Sequence, residues 1–111
     1  SSLTASISIC GFNMQEFRFY GFLPHKKGRQ TKVKGVIASE TPVVLFESKY
    51  RIVRLLEELA GFGIQKDRQI VVANDLTKKF ERVYRGTIEE VLEEVRKGEP
   101  KGEFVIIVSS Q

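Results

Sequence analysis

The sequence predicts an α/β (α+β) domain in which helices pack on one mixed, five-stranded sheet. Three features carry that prediction. The 111 residues, 41% hydrophobic and 29% charged, suffice for one core and not for two ordinary ones. Short apolar or aromatic runs at 17–22, 43–47, 69–73 and 104–110 are bounded by turn-forming residues, as strands are, and 79–85 alternates imperfectly, as a half-exposed strand does. Between the runs lie stretches whose apolar residues recur at helical spacing.

The elements follow in order. Leu3, Ile7 and Cys10 keep helical spacing and Gly11 stands where a helix ends, so the first ten residues read as the end of a helix. The aromatic strand at 17–22 is stopped by Pro24. A helix from about Gln30 to Glu40 turns Val33, Val36 and Ile37 to one face, with Gly28 and Gly35 working against it. Thr41-Pro42 breaks that helix, and 43–47 is a buried strand. Ser48 reads as the N-cap of a helix whose stripe is Ile52, Leu55, Leu56 and Leu59, closed by Gly61 and Gly63. The strand at 69–73 exits through Asn74-Asp75-Leu76-Thr77-Lys78, which reads as a turn, and pairs with 79–85 as a hairpin. Thr87 and Glu90 form a capping box for a helix with Ile88, Val91, Leu92 and Val95 inward. The run at 104–110 is a last, central strand, and two helices that each follow one strand and precede another imply crossover connections.

Composition excludes several classes. One cysteine, Cys10, makes no disulfide within the chain, and with a single histidine it supplies no structural zinc site. Cys10 reads as a small core residue, and no metal is expected. No apolar run approaches the roughly 20 residues of a membrane helix, and the opening residues carry no leader pattern, so a cytoplasmic protein without membrane or DNA partners is expected. The net charge of +4 is uneven: residues 1–85 hold 15 Lys+Arg against 8 Asp+Glu, and 86–111 hold 3 against 6. Six basic residues and no acid lie between Phe17 and Lys34. Such a cluster is either a solvated helix face or a phosphate-binding patch.

The chain holds no Ser/His/Asp set and no glycine-rich loop opening a helix, so no self-contained catalytic site is read. Glu47 ends an apolar strand four residues before Arg51, which leaves open a structural Glu47/Arg51 pair or a carboxylate facing a ligand crevice.

Four stretches recur in a familiar order: GFLPHKKGRQTK, VVLFESKYR, VVANDLTKKFERVYRGTIEEV and GEPKGEFVIIV. In that order and spacing they resemble the C-terminal half of the 16S rRNA ribose methyltransferases, a branch of the tetrapyrrole methylase superfamily. Three motif centres differ from that branch. Glu47-Ser48-Lys49-Tyr50-Arg51 stands for Glu-Ser-Pro-His-Arg, Asn74-Asp75-Leu76-Thr77-Lys78 for Arg-Glu-Leu-Thr-Lys, and Phe80-Glu81-Arg82 for His-Glu-Glu. The resemblance implies S-adenosylmethionine as cofactor, a cytidine 2′-hydroxyl in 16S rRNA or the small ribosomal subunit as substrate, and a homodimer. It implies a cofactor cleft between two halves, of which this chain, opening at SSLTASISIC without a methionine, is one, and so no methyl transfer by this chain alone. Its contributions would come from Ser1, Ser2, Phe46, Glu47, Ser48, Val72, Ala73 and Asn74. RNA phosphates would meet His25, Lys26, Lys27, Arg29, Lys32 and Arg51. No residue is singled out as the base that takes the hydroxyl proton. The alternatives are a corrin or porphyrin methyltransferase domain and a non-enzymatic RNA-binding module.

Overall fold

The apolar runs become strands and the amphipathic stretches helices in a computed structural model that describes residues 2–76 and 79–111. The order is α1 (Ser2–Cys10), β1 (Arg18–Phe22), α2 (Arg29–Ala38), β2 (Val43–Ser48), α3 (Ile52–Gly61), β3 (Ile70–Leu76), β4 (Lys79–Gly86), α4 (Ile88–Lys97) and β5 (Glu103–Val108). The strands form one sheet in the order β1-β2-β5-β3-β4. β1 and β2 are parallel, and the other neighbours are antiparallel. The expected mixed sheet, hairpin and crossovers are all present. Because β5 runs against both β2 and β3, the C-terminal ends of β1, β2 and β3 emerge at one edge, beside the start of β5.

Strand alternation divides the core into two layers. Val43, Leu45, Ile70, Val72, Phe104, Ile106 and Val108 face α2, α3 and α4, meeting Val33, Val36, Ile52, Leu55, Leu56, Leu59, Val91 and Val95. The opposite face, with Val44, Val71, Val105 and Ile107, packs on Cys10 and on the partly buried Leu3, Phe12 and Met14. Cys10 is thus the small core residue expected. Towards β1 that second face is thinly covered, and Phe19 and Phe22 are exposed.

Two expectations are corrected. Ser48 does not cap a helix: it is the last residue of β2, paired with Glu103, and α3 starts at Ile52 after an exposed turn. The apolar stripe itself begins at Ile52, so the helix has nothing to bury before it. Asn74 and Asp75 are not a turn either. β3 runs on through Leu76, because both residues pair with β5 on one side and β4 on the other. Thr77 and Lys78 lie outside the described residues.

The capping box is formed: Glu90 N–H donates to Thr87 Oγ1 (3.4 Å), and Thr87 N–H donates to Glu90 Oε1 (3.0 Å). The Thr87 backbone N–H, and then its hydroxyl, hold the Glu90 carboxyl below the usual carboxylate range. A lowered folded-state pKa contributes stability above the ordinary glutamate pKa and loses it as pH falls through the lowered value. Thr87→Ala is expected to cost about 1 kcal/mol, while Glu90→Gln, which removes the titrating group, is expected to flatten this acid sensitivity. Urea unfolding between neutral and acidic pH checks both, and an unchanged acid limb in Glu90→Gln would refute the linkage.

Candidate functional site

Three rows of registered residues define the edge where β1, β2 and β3 end. The innermost runs Phe22, Phe46, Val105, Ala73; the next Glu47, Phe104, Asn74; the outermost Ser48, Glu103, Asp75. Alternation then sorts the side chains by face. Phe46 falls on the thinly covered face, where its ring meets Phe19 and Phe22 edge-on at centroid distances of 5.3 and 5.6 Å. A recess of about 240 Å³ opens there, lined by Phe22, Phe46, Phe104 and Val105, with Asp75 and Glu103 at its rim.

Glu47 and Asn74 turn to the other face and are buried. Asn74 Nδ2 donates to the Lys101 and Glu103 carbonyls, stitching β3 to the start of β5. Glu47 Oε1 accepts from Ser48 N–H (2.9 Å), and Oε2 lies 3.6 Å from Arg29 Nη2. The partner of Glu47 is therefore Arg29, and not Arg51 as the four-residue spacing allowed. Helical spacing misleads at this point because residues 48–51 are a strand end and a turn.

Arg29 itself is 2% exposed, so the structure removes it from the cationic surface on which the sequence placed it. Its Nε donates to both Glu58 carboxylate oxygens (2.9 and 3.1 Å), and its Nη1 donates to the Pro24 carbonyl (3.1 Å). Nη2 sits 2.8 Å from Glu58 Oε1 at an angle that makes no hydrogen bond. Burial acts to lower the Arg29 pKa, and Glu58, with help from Glu47, outweighs it and holds the pKa above the ordinary value.

The exposed cations stand around the loop between β1 and α2. His25, Lys26 and Lys27 are all exposed. Arg51 Nη1 donates to Ser48 Oγ (3.2 Å), its Nη2 lies 3.5 Å from His25 Nδ1, and Arg54 Nη2 donates to the His25 carbonyl (3.4 Å). The loop is thereby tied to the turn that follows β2. Lys32 is also exposed, one turn along α2, with its Nζ over the Tyr20 ring.

Of the residues expected to meet a cofactor, Phe46 lines the recess, Ala73 lies beside it in the same row, and Ser48 ends β2 in the outermost row. Val72 belongs to the helix-side core. Ser2 opens α1, whereas its side chain and all of Ser1 lie outside the described residues. Sequence reasoning missed Asp75 and Glu103 at the rim, Arg54 beside the loop, and Glu58. A signal for the last two existed, since Arg54 and Glu58 stand one helical turn apart on α3, the spacing of an i,i+4 ion pair. Among the described residues no His/Cys/Asp/Glu group could hold a metal ion, and no helix is long and apolar enough to cross a membrane.

The model of the tetrapyrrole (corrin/porphyrin) methylases matches residues 1–92. Several relatives carry the name ribosomal RNA small subunit methyltransferase I. That of Thermotoga maritima is 31% identical over 111 residues, covering 100% of this chain and 49% of the relative. That of Bacillus subtilis is 35% identical over 109 residues (97% and 36%), and that of Xylella fastidiosa 38% over 112 (97% and 40%). The chain thus spans half or less of the length of these relatives. Among solved structures, a cobalt precorrin-4 methyltransferase of cobalamin biosynthesis superposes with a TM-score of 0.71 at 15% identity, over 98% of this chain and 48% of that one. The methyltransferase CobJ gives 0.67 at 15%, over 99% and 47%. The fold is thus a known architecture, and with a family match along most of its length the chain belongs to the tetrapyrrole methylases.

Proposed function

We propose that this chain is the C-terminal half of an S-adenosylmethionine-dependent enzyme that methylates the 2′-hydroxyl of a cytidine ribose in 16S rRNA. The observation that carries the reading is that the aromatic recess and the exposed cations occupy one edge of one sheet. A volume of about 240 Å³ lies below the roughly 300–1,000 Å³ of complete ligand pockets. It suits one wall of a cleft completed by another part of the protein.

The residues fit the cofactor in kind. Phe22, Phe46 and Val105, with Ala73 beside them, offer apolar surface to an adenine or a methionine chain, and the Asp75 and Glu103 carboxylates can accept hydrogen bonds from ribose hydroxyls. Ser48, paired with Glu103 in the outermost row of the edge, adds a hydroxyl. Glu47, Val72 and Asn74 shape the edge from its buried side. When bound, S-adenosylmethionine supplies a methyl group for attack by the ribose oxygen. His25, Lys26 and Lys27, with Arg51 and Arg54 beside them and Lys32 farther along α2, neutralise phosphates and so orient the target strand. In this reading the native protein is a homodimer, which sedimentation checks.

The relatives named as rRNA methyltransferases are 31–38% identical, whereas the corrin enzyme is 15% identical and shares the fold alone. The exposed cations suit the phosphates of RNA. The test is methyl transfer by the full-length protein to small ribosomal subunits, with the label mapped to a nucleotide. A ribose-methylated cytidine is expected. A methylated base, or transfer to a tetrapyrrole and not to RNA, overturns the proposal. RNA binding without any transfer favours the non-enzymatic module.

A further inference from the structure

We infer that Arg29 is a positioning residue: with Glu58 and Arg54 it sets where the basic loop stands relative to the cofactor edge. The inference rests on the RNA-binding reading above and assigns Arg29 and Glu58 roles that reading lacks.

The geometry is a short chain of charged contacts. Glu58, on α3, accepts two hydrogen bonds from Arg29 Nε and lies 3.8 Å from Arg54 Nε. Those two arginines donate to two successive carbonyls of the loop, Arg29 to Pro24 (3.1 Å) and Arg54 to His25 (3.4 Å). Arg29 also faces Glu47, whose neighbour Phe46 lines the recess. One carboxylate therefore governs both donors that hold the root of the loop. The residues that follow, Lys26 and Lys27, are those whose placement decides which phosphates they reach. Arg29 is also the first residue of α2, after Gly28 at φ 82°, a left-handed conformation that swings the chain back under the loop. Its fork of donors meets a carbonyl on one side and carboxylates on the other, a geometry lysine cannot copy.

A positioning role and a simple charge role predict opposite signs for Glu58. On bulk electrostatics, neutralising an acid beside a cationic surface strengthens RNA binding. If Glu58 orders the loop through two arginines, neutralising it weakens binding even though the protein becomes more positive.

The experiment measures affinity of the full-length protein for a 16S rRNA transcript across a salt series, for wild type, Glu58→Gln, Arg29→Lys and the double variant Lys26→Gln/Lys27→Gln. The first two variants are expected to bind between about threefold and thirtyfold more weakly, with the log–log salt slope unchanged because no phosphate contact is lost. The lysine double variant is expected to lower the slope by about one unit per lysine that contacts a phosphate. Amide exchange across residues 25–28 should quicken in Glu58→Gln while α3 stays protected, and this readout holds even if Arg29→Lys folds poorly. Wild-type or tighter RNA binding by a folded Glu58→Gln, with a normal loss in the lysine variant, overturns the positioning role alone. No loss in the lysine variant overturns the RNA reading and the inference with it.

Discussion

Arg29→Leu is expected to destabilise the domain by about 3–5 kcal/mol, among the largest effects of any single substitution here. The reason lies in what it leaves behind. Glu47 is 3% exposed, and its carboxylate would keep only the Ser48 N–H as a hydrogen-bond donor in a low-dielectric setting. The Pro24 carbonyl would lose its donor as well. Glu58, 18% exposed, can turn to solvent or to Arg54, so most of the penalty falls on Glu47. The companion double variant Arg29→Leu/Glu47→Leu should recover most of the loss, since replacing both members of a buried pair with apolar groups is often neutral. Urea unfolding followed by circular dichroism decides the matter. A loss below about 1 kcal/mol in the single variant, or no recovery in the double, would mean that the pair acts as a surface contact.

Arg68→Met is the second. Arg68 is 5% exposed and, unlike Arg29, has no carboxylate partner among the described residues. Its guanidinium donates to the carbonyls of Val36 (3.2 Å), Ile37 and Ser39 (3.3 Å) at the end of α2, to Ser109 just past β5 (2.9 Å), and to Gln65 Oε1 (3.0 Å). Burial lowers its pKa, and the helix-end carbonyls, which carry partial negative charge, are what compensate the cation. Orphaning several acceptors at about 1–3 kcal/mol each, with water rescuing the outermost, leads to an expected loss of about 3 kcal/mol. In a domain of this size that lowers Tm on the order of 10 °C. Arg68→Lys should recover less than half, because a single ammonium cannot span acceptors from three segments. Recovery to wild type by lysine would show that charge alone matters. This clamp lies at the opposite end of the sheet from the recess, so RNA binding in the surviving folded fraction should be unchanged.

The two arginines illustrate how far sequence alone reaches. Helix stripes such as Ile52, Leu55, Leu56 and Leu59, the capping box at Thr87 and Glu90, and the apolar strands were legible, because each is written in a local period or at a fixed short spacing. Order along the chain, with those periods, implied a mixed sheet with crossovers, and the four motifs pointed to the family. Partners distant in sequence were not legible. Arg29 was read as part of the cationic surface and Arg68 carries no local signal of burial, and only folding brings Glu47 and Glu58 to the first and the end of α2 to the second. Asn74 and Asp75 carry turn chemistry, yet they continue β3 because strands on both sides supply backbone partners that outweigh local preference. The edge was legible in part: the charge cluster pointed to the exposed His25, Lys26 and Lys27, and the family resemblance pointed to Phe46. Asp75 and Glu103 could not, since their meeting depends on β5 entering between β2 and β3. Local periodicity thus determined which segments become helices and strands. Tertiary structure decided which charges are buried and which meet at the edge, because burial and ion pairing are set by neighbours that the chain brings together only after it has folded.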